Sequence, residues 1–145
     1  MKKFRHILRD QQGVAAMEFA LVVPALLLIV FATIEYGWYL TQWMVLNNAA
    51  SAGARAGVKA REWESSYNNE EDPVAFARSA LKSSLWTMKE FPSDHVDIEI
   101  LAADETTPRR LKVQVSDVPY QPITGYLGAS LLPETLAAKA VLAFP

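Results

Sequence analysis

The segment GVAAMEFALVVPALLLIVFATIEYG, residues 13–37, decides the fold of this chain. Its central part, Phe19 to Ile34, is sixteen consecutive residues without a charge or a side-chain amide. As a helix, the stretch from Val14 to Ile34 would rise roughly 30 Å, which matches the hydrocarbon thickness of a bilayer. The segment therefore predicts a membrane-spanning helix.

The flanks of this helix predict its orientation. The first ten residues carry four Lys or Arg side chains against one acidic residue, Asp10. An excess of positive charge keeps a flank in the cytoplasm. Tyr36, Trp38 and Tyr39 follow the apolar run and are typical of a membrane interface. We expect a cytoplasmic N-terminus and an outer C-terminal domain.

A cleaved secretory signal peptide is the main alternative. The apolar run is long for a signal peptide, ends in Glu35 and an aromatic cluster, and offers no convincing cleavage site before Ala49. Retention of the helix is therefore favoured.

Composition limits the remaining classes of function. The 145-residue chain has a net charge of −2, a pI near 5.7 and no cysteine. Its only basic cluster is the N-terminal leader, so no nucleic-acid partner is expected. Without cysteines, disulfides and cysteine-based zinc or redox chemistry are excluded. About 100 residues remain outside the leader and the membrane helix, enough for one small domain.

The helical pattern continues beyond the aromatic residues through TQWMVLNNAASAGARAGVKAREW, residues 41–63. Ala49, Gly53 and Gly57 recur at steps of four and share one helix face, which predicts close packing against another backbone. Two partners remain open for this face: the protein's own sheet or another subunit.

A second helix is predicted after a polar loop, SSYNNEED, residues 65–72. Asp72 is the expected N-cap, Pro73 the first helical residue and Pro92 the terminator. The apolar residues at helical spacing are Ala77, Leu81, Leu85 and Met88.

Alternating patterns further on predict an antiparallel sheet, and so an α+β fold. The first strand is expected at 95–101 and the second at Leu111, Val113 and Val115, joined by a hairpin at 102–110. Residues 118–133 read as irregular, and 136–144 as a third strand in preference to a short helix.

A search for catalytic or metal-binding residues favours a protein that is not an enzyme. His6 and His95 suggest no catalytic set. Two groups of carboxylates lack EF-hand spacing, so solvated acids are favoured over a calcium site. These groups are Glu70, Glu71 and Asp72, and Asp94, Asp97, Asp104 and Glu105. No cofactor and no metal is expected.

The chain resembles the TadE-like minor pilins, or pseudopilins, of the tight adherence (Flp, type IVb) pilus system. The resemblance lies in residues 13–37 and in NNAASAGARAG, residues 47–57, with a weaker similarity in VSDVPYQP, residues 115–122. It implies a pilin-like α+β fold: a long N-terminal transmembrane helix continuing into a small domain with a second helix and an antiparallel sheet.

The resemblance also implies processing. A prepilin peptidase would cut between Gly13 and Val14, so that Glu18 becomes the fifth residue. Phe19 follows the acid where major Flp pilins usually have tyrosine, which favours a minor subunit. The implied organisation is a basic leader at 1–13, the membrane helix and outer interface at 14–47, and an extracytoplasmic TadE-like domain at 48–145.

The implied partners are a prepilin peptidase, other pilin and minor pilin subunits, an inner-membrane assembly platform and membrane lipid. The implied location is the bacterial inner membrane, with the C-terminal domain in the periplasm, or a surface pilus. Roles in the pilus shaft, at its tip or in priming assembly all stay open.

The positions of three residues in the helix predict physical roles for them, independently of the resemblance. Glu18 lies in the first helical turns and could pair with the Val14 amine of an adjacent subunit, or could sit without a role at the cytoplasmic interface. Pro24 cannot donate to the Ala20 carbonyl, which predicts a kink or a tolerated proline. Glu35 lies about 25 Å beyond Glu18 and is interpreted as interfacial, not catalytic.

Two other functions fit the sequence less well. One is an uncleaved single-pass accessory or adhesin-like protein that binds a surface partner. The other, more remote, is a secreted hydrolase precursor.

Overall fold

The computed structural model describes residues 11–60, 71–86, 88, 93–126 and 131–145. Its regular elements, in chain order, are α1 (Gln11–Gly57), α2 (Pro73–Ser84), a 3₁₀ helix (Ser93–His95), β1 (Val96–Leu101), β2 (Arg110–Pro119) and β3 (Thr135–Ala143). The predicted fold class, α+β with a long apolar N-terminal helix and an antiparallel sheet, is confirmed.

Helix α1 has two halves with different surroundings. From Gly13 to Val30 nearly every side chain is exposed, because nothing in the described part of the chain packs against this stretch. From Val45 to Gly57 one face of α1 is buried under α2 and the sheet. The helix is continuous through Pro24 and through the expected domain boundary at residue 48.

The three strands form one antiparallel sheet with β2 in the centre. Val96 of β1 lies opposite Val115, and Leu101 lies opposite Arg110. Arg110 also lies opposite Ala143 of β3, so the β1–β2 hairpin and the C-terminus share one end of the sheet. The predicted hairpin and the predicted third strand are therefore confirmed.

A bulge interrupts the pairing of β2 with β3 between Val115 and Val118. Asp117 in this bulge has a φ of 56°, a left-handed conformation that Asp tolerates better than most residues. The extra residue returns Val118 to the face that already carries Val113 and Val115, and all three valines are buried. The bulge thus keeps β2 apolar on one side up to its end.

The core lies between this sheet face, α2 and the outer half of α1. Small residues of α1 allow α2 to approach closely, and leucines and valines fill the remaining space. The fully buried residues include Leu46, Ala49, Ala50, Ala54, Ala77, Leu81, Leu111, Val113 and Val115.

Both helices end earlier than the sequence predicts. Helix α1 ends at Gly57, and its last turn tightens, since Lys59 N–H donates to the Ala56 carbonyl at 3.2 Å. The prediction that α2 runs to Pro92 is wrong: α2 ends at Ser84, and Leu85 leaves the helical conformation with φ −90° and ψ 55°. That turn leaves both Leu85 and Met88 buried in the core.

The start of α2 agrees with the prediction. Asp72 is the N-cap, its carboxylate accepting a hydrogen bond of 2.9 Å from Val74 N–H, and Pro73 is the first helical residue. The basic leader through Asp10, most of the polar loop at 65–72, and Pro92 lie outside the described residues.

Candidate functional site: the exposed apolar helix and the Glu35 cluster

The exposed half of α1 is one candidate site. It is the one helix, among the described residues, that is long and apolar enough to cross a membrane. Large apolar side chains all around it are exposed, among them Met17, Phe19, Leu21, Leu28 and Ile29. Such a surface is stable in lipid or against other apolar helices and unstable in water. One N-terminal helix of this kind suggests a membrane anchor.

The residues predicted to act in processing and assembly lie on this exposed half. In the described part of the chain, no atom beyond the adjacent residues and the helix's own backbone lies within 4 Å of a Cβ built at Gly13, and the Val14 side chain is 58% exposed. Glu18 and Pro24 are exposed as well. Among the described residues, the fold of a single chain therefore brings none of these four into contact with the outer domain, and their roles stay predictions.

The face formed by Ala49, Gly53 and Gly57 lies instead within the outer domain. A Cβ added at Gly53 would lie 2.9 Å from the Ala77 carbonyl oxygen, and one added at Gly57 would lie 2.9 Å from that of Pro73. Side chains at these positions would collide with the backbone of α2. The structure thus places this face mainly against α2 of the same chain, and against the sheet, the expected partner within the chain, at Gly57, where the added Cβ would also meet Leu111.

A second candidate site surrounds Glu35, which lies one residue beyond the predicted span and is only 1% exposed. Its carboxylate accepts hydrogen bonds from four donors in the segment after β2. Tyr120 OH donates at 2.6 Å, Ile123 N–H at 3.1 Å and Thr124 N–H at 2.9 Å, and the Thr124 hydroxyl also donates. The four donors satisfy both carboxylate oxygens. We call Glu35 and the three residues that donate to it, Tyr120, Ile123 and Thr124, the Glu35 cluster.

The next turns of α1 bind the same segment. The Trp38 indole N–H and the Gln42 side-chain amide both donate to the Gln121 carbonyl oxygen, at 3.0 and 2.7 Å. Glu35, Trp38 and Gln42 are spaced by three and four residues, so they share one helix face. This polar face of α1 fixes residues 120–124 to the helix.

Aromatic contacts extend the attachment in both directions along α1. Tyr120 meets Tyr39 edge to face, with ring centroids 5.6 Å apart. Tyr126 stacks on Phe31, with centroids 5.2 Å apart. Such pairs are favourable beyond the area they bury. The segment after β2 therefore contacts α1 from the core down into the predicted span.

The charge of Glu35 follows from these contacts. Burial raises the pKa of a carboxyl group, but the hydrogen bonds from Thr124, Tyr120 and Ile123 outweigh burial and lower the pKa of Glu35 from 4.5 to about 2. Burial and the neighbouring carboxylate both raise the pKa of the Tyr120 hydroxyl. At neutral pH the cluster therefore holds a buried anion and a phenol that stays protonated and donates to it.

The sequence predicts where Glu35 lies along α1 but not what it binds. Its donors follow 85 to 89 residues later, in a segment with no regular pattern. One signal could have indicated the contact: the sixteen residues 118–133 carry no charge, which is unusual for a sequence predicted to be irregular and exposed to water.

The carboxylates considered for calcium do not form a site in the described part of the chain. No group of three or more His, Asp or Glu side chains there could hold a metal ion. Asp97 and Glu99 instead share Lys112, at 3.3 and 2.9 Å. Glu70 lies outside the described residues.

Comparison with known families supports the resemblance seen in the sequence. The family model described as TadE-like protein matches residues 13–55, which covers the exposed half of α1, the Glu35 position and most of the Ala49–Gly57 face. The TadE-like character of this segment is therefore confirmed, and it is consistent with a TadE-like protein of the tight adherence pilus system. No curated protein and no solved structure matches the chain.

Proposed function

We propose that this chain is a minor pilin or pseudopilin that takes part in assembly of a tight adherence (Flp, type IVb) pilus. One observation carries the proposal: the TadE-like segment includes an apolar helical stretch that the rest of the described chain leaves uncovered from Gly13 to Val30. In the membrane lipid covers this surface, and in a pilus other subunits cover it. The role is structural and not enzymatic.

In this proposal a prepilin peptidase cuts after Gly13 on the cytoplasmic side of the bacterial inner membrane. In the described part of the chain nothing packs within 4 Å of a Cβ built at Gly13, so no other described element covers the cleavage position. The outer domain lies in the periplasm, held on the helix by the Glu35 cluster. The assembly platform then moves the anchored subunit into contact with other pilin subunits.

Glu18 has a specific task in this assembly. Cleavage frees an amine at Val14, and Glu18 is exposed one helical turn further on. A carboxylate at the edge of hydrocarbon is costly without a partner. An amine from a neighbouring subunit supplies one, so the pair favours incorporation at the correct axial position.

Substitution of Glu18 tests this task. In cells that make the pilus, Glu18→Ala should insert into the membrane normally but fail to copurify with the other processed pilins, while Glu18→Asp should retain partial incorporation. Glu105→Ala serves as the matched control, because Glu105 is an exposed acid at the far end of the sheet. Normal incorporation of Glu18→Ala would refute the role of Glu18.

A further inference from the structure

The uncharged segment after β2 reaches the level of the predicted membrane span. Tyr126 stacks on Phe31, which lies three residues inside the outer end of the span at Ile34. Three helical residues correspond to about 4.5 Å along the axis. Tyr126 therefore lies below the expected hydrocarbon boundary, on the membrane side of Glu35.

The conformation of this segment is fixed by its contacts. Thr124 is held by the Glu35 carboxylate through its N–H and its hydroxyl. Gly125 then adopts a φ of +66°, a left-handed conformation that suits glycine, and Tyr126 N–H donates to the Thr124 hydroxyl at 3.3 Å. This turn directs the chain from the Glu35 cluster to Phe31.

Apolar side chains of the segment are left uncovered. Ile123 is 58% exposed and Tyr126 is 68% exposed, although Glu35 beside them is buried. The surrounding sequence, from Val118 to Pro133, has no charged side chain to hold the segment in water. An amphipathic aromatic ring next to an apolar side chain suits the boundary between headgroups and acyl chains.

We infer that residues 122–126 form a second membrane contact, with the side chains of Ile123 and Tyr126 inserted among the lipids of the outer leaflet. The occupant is lipid because the segment is continuous, through the Phe31–Tyr126 stack, with the apolar surface of the span. The Glu35 carboxylate lies on the outer side of the inserted Tyr126 ring, and its hydrogen bonds hold the outer domain at a fixed height on the membrane. The inference rests on the membrane anchoring in the proposed function but not on processing or pilus assembly.

Site-directed spin labelling tests the insertion, and the chain suits it because it has no native cysteine. The full chain with Ile123→Cys is labelled with a nitroxide and reconstituted in vesicles of phosphatidylethanolamine and phosphatidylglycerol. Collision with oxygen, which concentrates in lipid, is compared with collision with a water-soluble nickel chelate. Leu28→Cys marks the span, and Thr106→Cys marks the exposed hairpin at the opposite end of the sheet.

The expected result is a ratio of oxygen to nickel collisions at Ile123 that is severalfold higher than at Thr106 and shifted toward the value at Leu28. Tyr126→Cys should give the same shift, and thermal unfolding of each labelled chain confirms that it is folded. A ratio at Ile123 equal to that at Thr106, with Leu28 in lipid, overturns the insertion and leaves the anchor intact. Low collision with both reagents overturns it in favour of burial in protein, within the chain or against a second copy of it, and Leu28 in water overturns the anchor as well.

Discussion

The Glu35 carboxylate accepts a hydrogen bond of 2.6 Å from the hydroxyl of Tyr120, a residue 85 positions further along the chain. This bond joins α1, one residue beyond the predicted span, to the residue that directly follows β2, the central strand of the sheet. Because Thr124 and Ile123 donate to the same carboxylate, the domain is attached to the helix by a charged group with all of its acceptors used. The apolar half of α1 and the domain that contains the sheet should therefore move together.

Replacing Glu35 by glutamine should destabilise the outer domain by about 2–4 kcal/mol, since an amide NH₂ would face backbone donors in place of an acceptor oxygen. Chemical unfolding of the full chain in detergent micelles measures the loss. Glu134→Gln is the matched control, because Glu134 is exposed, and its stability should stay within about 0.5 kcal/mol of wild type. Equal stability of Glu35→Gln and wild type would show that the cluster contributes nothing.

The pH dependence of stability should report the same carboxylate. The pKa of Glu35 is about 2 in the folded chain, against an ordinary value of 4.5. The ionised carboxylate therefore contributes fully to the free energy of unfolding above pH 4.5, and this contribution is lost as the pH falls toward 2. The contribution at neutral pH is about 2 kcal/mol after an allowance for solvent screening. The difference in stability between wild type and Glu35→Gln should therefore shrink between pH 5 and pH 2, as measured by unfolding in micelles. A difference that stays constant over this range would contradict the depressed pKa.

Adding a methyl group at Gly53 should destabilise the domain by about 1–3 kcal/mol, despite the better helix propensity of alanine. The new Cβ would lie 2.9 Å from the Ala77 carbonyl oxygen and 3.3 Å from the Leu81 Cβ, so α2 would have to shift. Gly37→Ala is a control in the same helix, where a Cβ meets nothing within 4 Å, and it should be neutral or slightly stabilising. Thermal unfolding compares the two, and a stable Gly53→Ala would argue that this face is loosely packed.

Removing the N-cap of α2 should have a smaller effect. Asp72→Ala deletes the acceptor for Val74 N–H and should cost about 1 kcal/mol, whereas Asp72→Ser keeps an acceptor and should cost less. Urea unfolding of the two variants distinguishes capping from a general effect of charge. If Asp72→Ala and Asp72→Ser lose the same stability, the loss is not caused by removal of the N-cap.

Local sequence signals predict most of this fold. The long apolar run, the Asp72–Pro73 cap and the alternation in each strand specify elements from a few neighbouring residues, and all of these elements are present. The end of α2 at Ser84 was not predictable in this way, because Leu85 continues the apolar helical spacing and only the packed core shows why the chain turns there.

The residues of the candidate sites also fall into two groups: those predicted from local sequence and those whose contacts only the folded structure shows. Gly13, Val14 and Glu18 are predicted as site residues from a local motif, and the described part of the folded chain adds no contact to them. Glu35 is identified as polar and interfacial by position alone, but its four donors come from an irregular segment far along the sequence. The hydrogen bonds between Glu35 and that segment depend on tertiary structure. The only sign of them in the sequence is the absence of charged residues from 118 to 133.

The N-terminus of the mature protein tests the proposed processing most directly. Intact mass and N-terminal peptide analysis of the chain, purified from the membranes of cells that make functional pili, should give a polypeptide that begins at Val14. A chain in those cells that still begins at Met1 would contradict the pilin function and favour an uncleaved membrane protein, and one that begins beyond Ala49 would indicate a secreted domain.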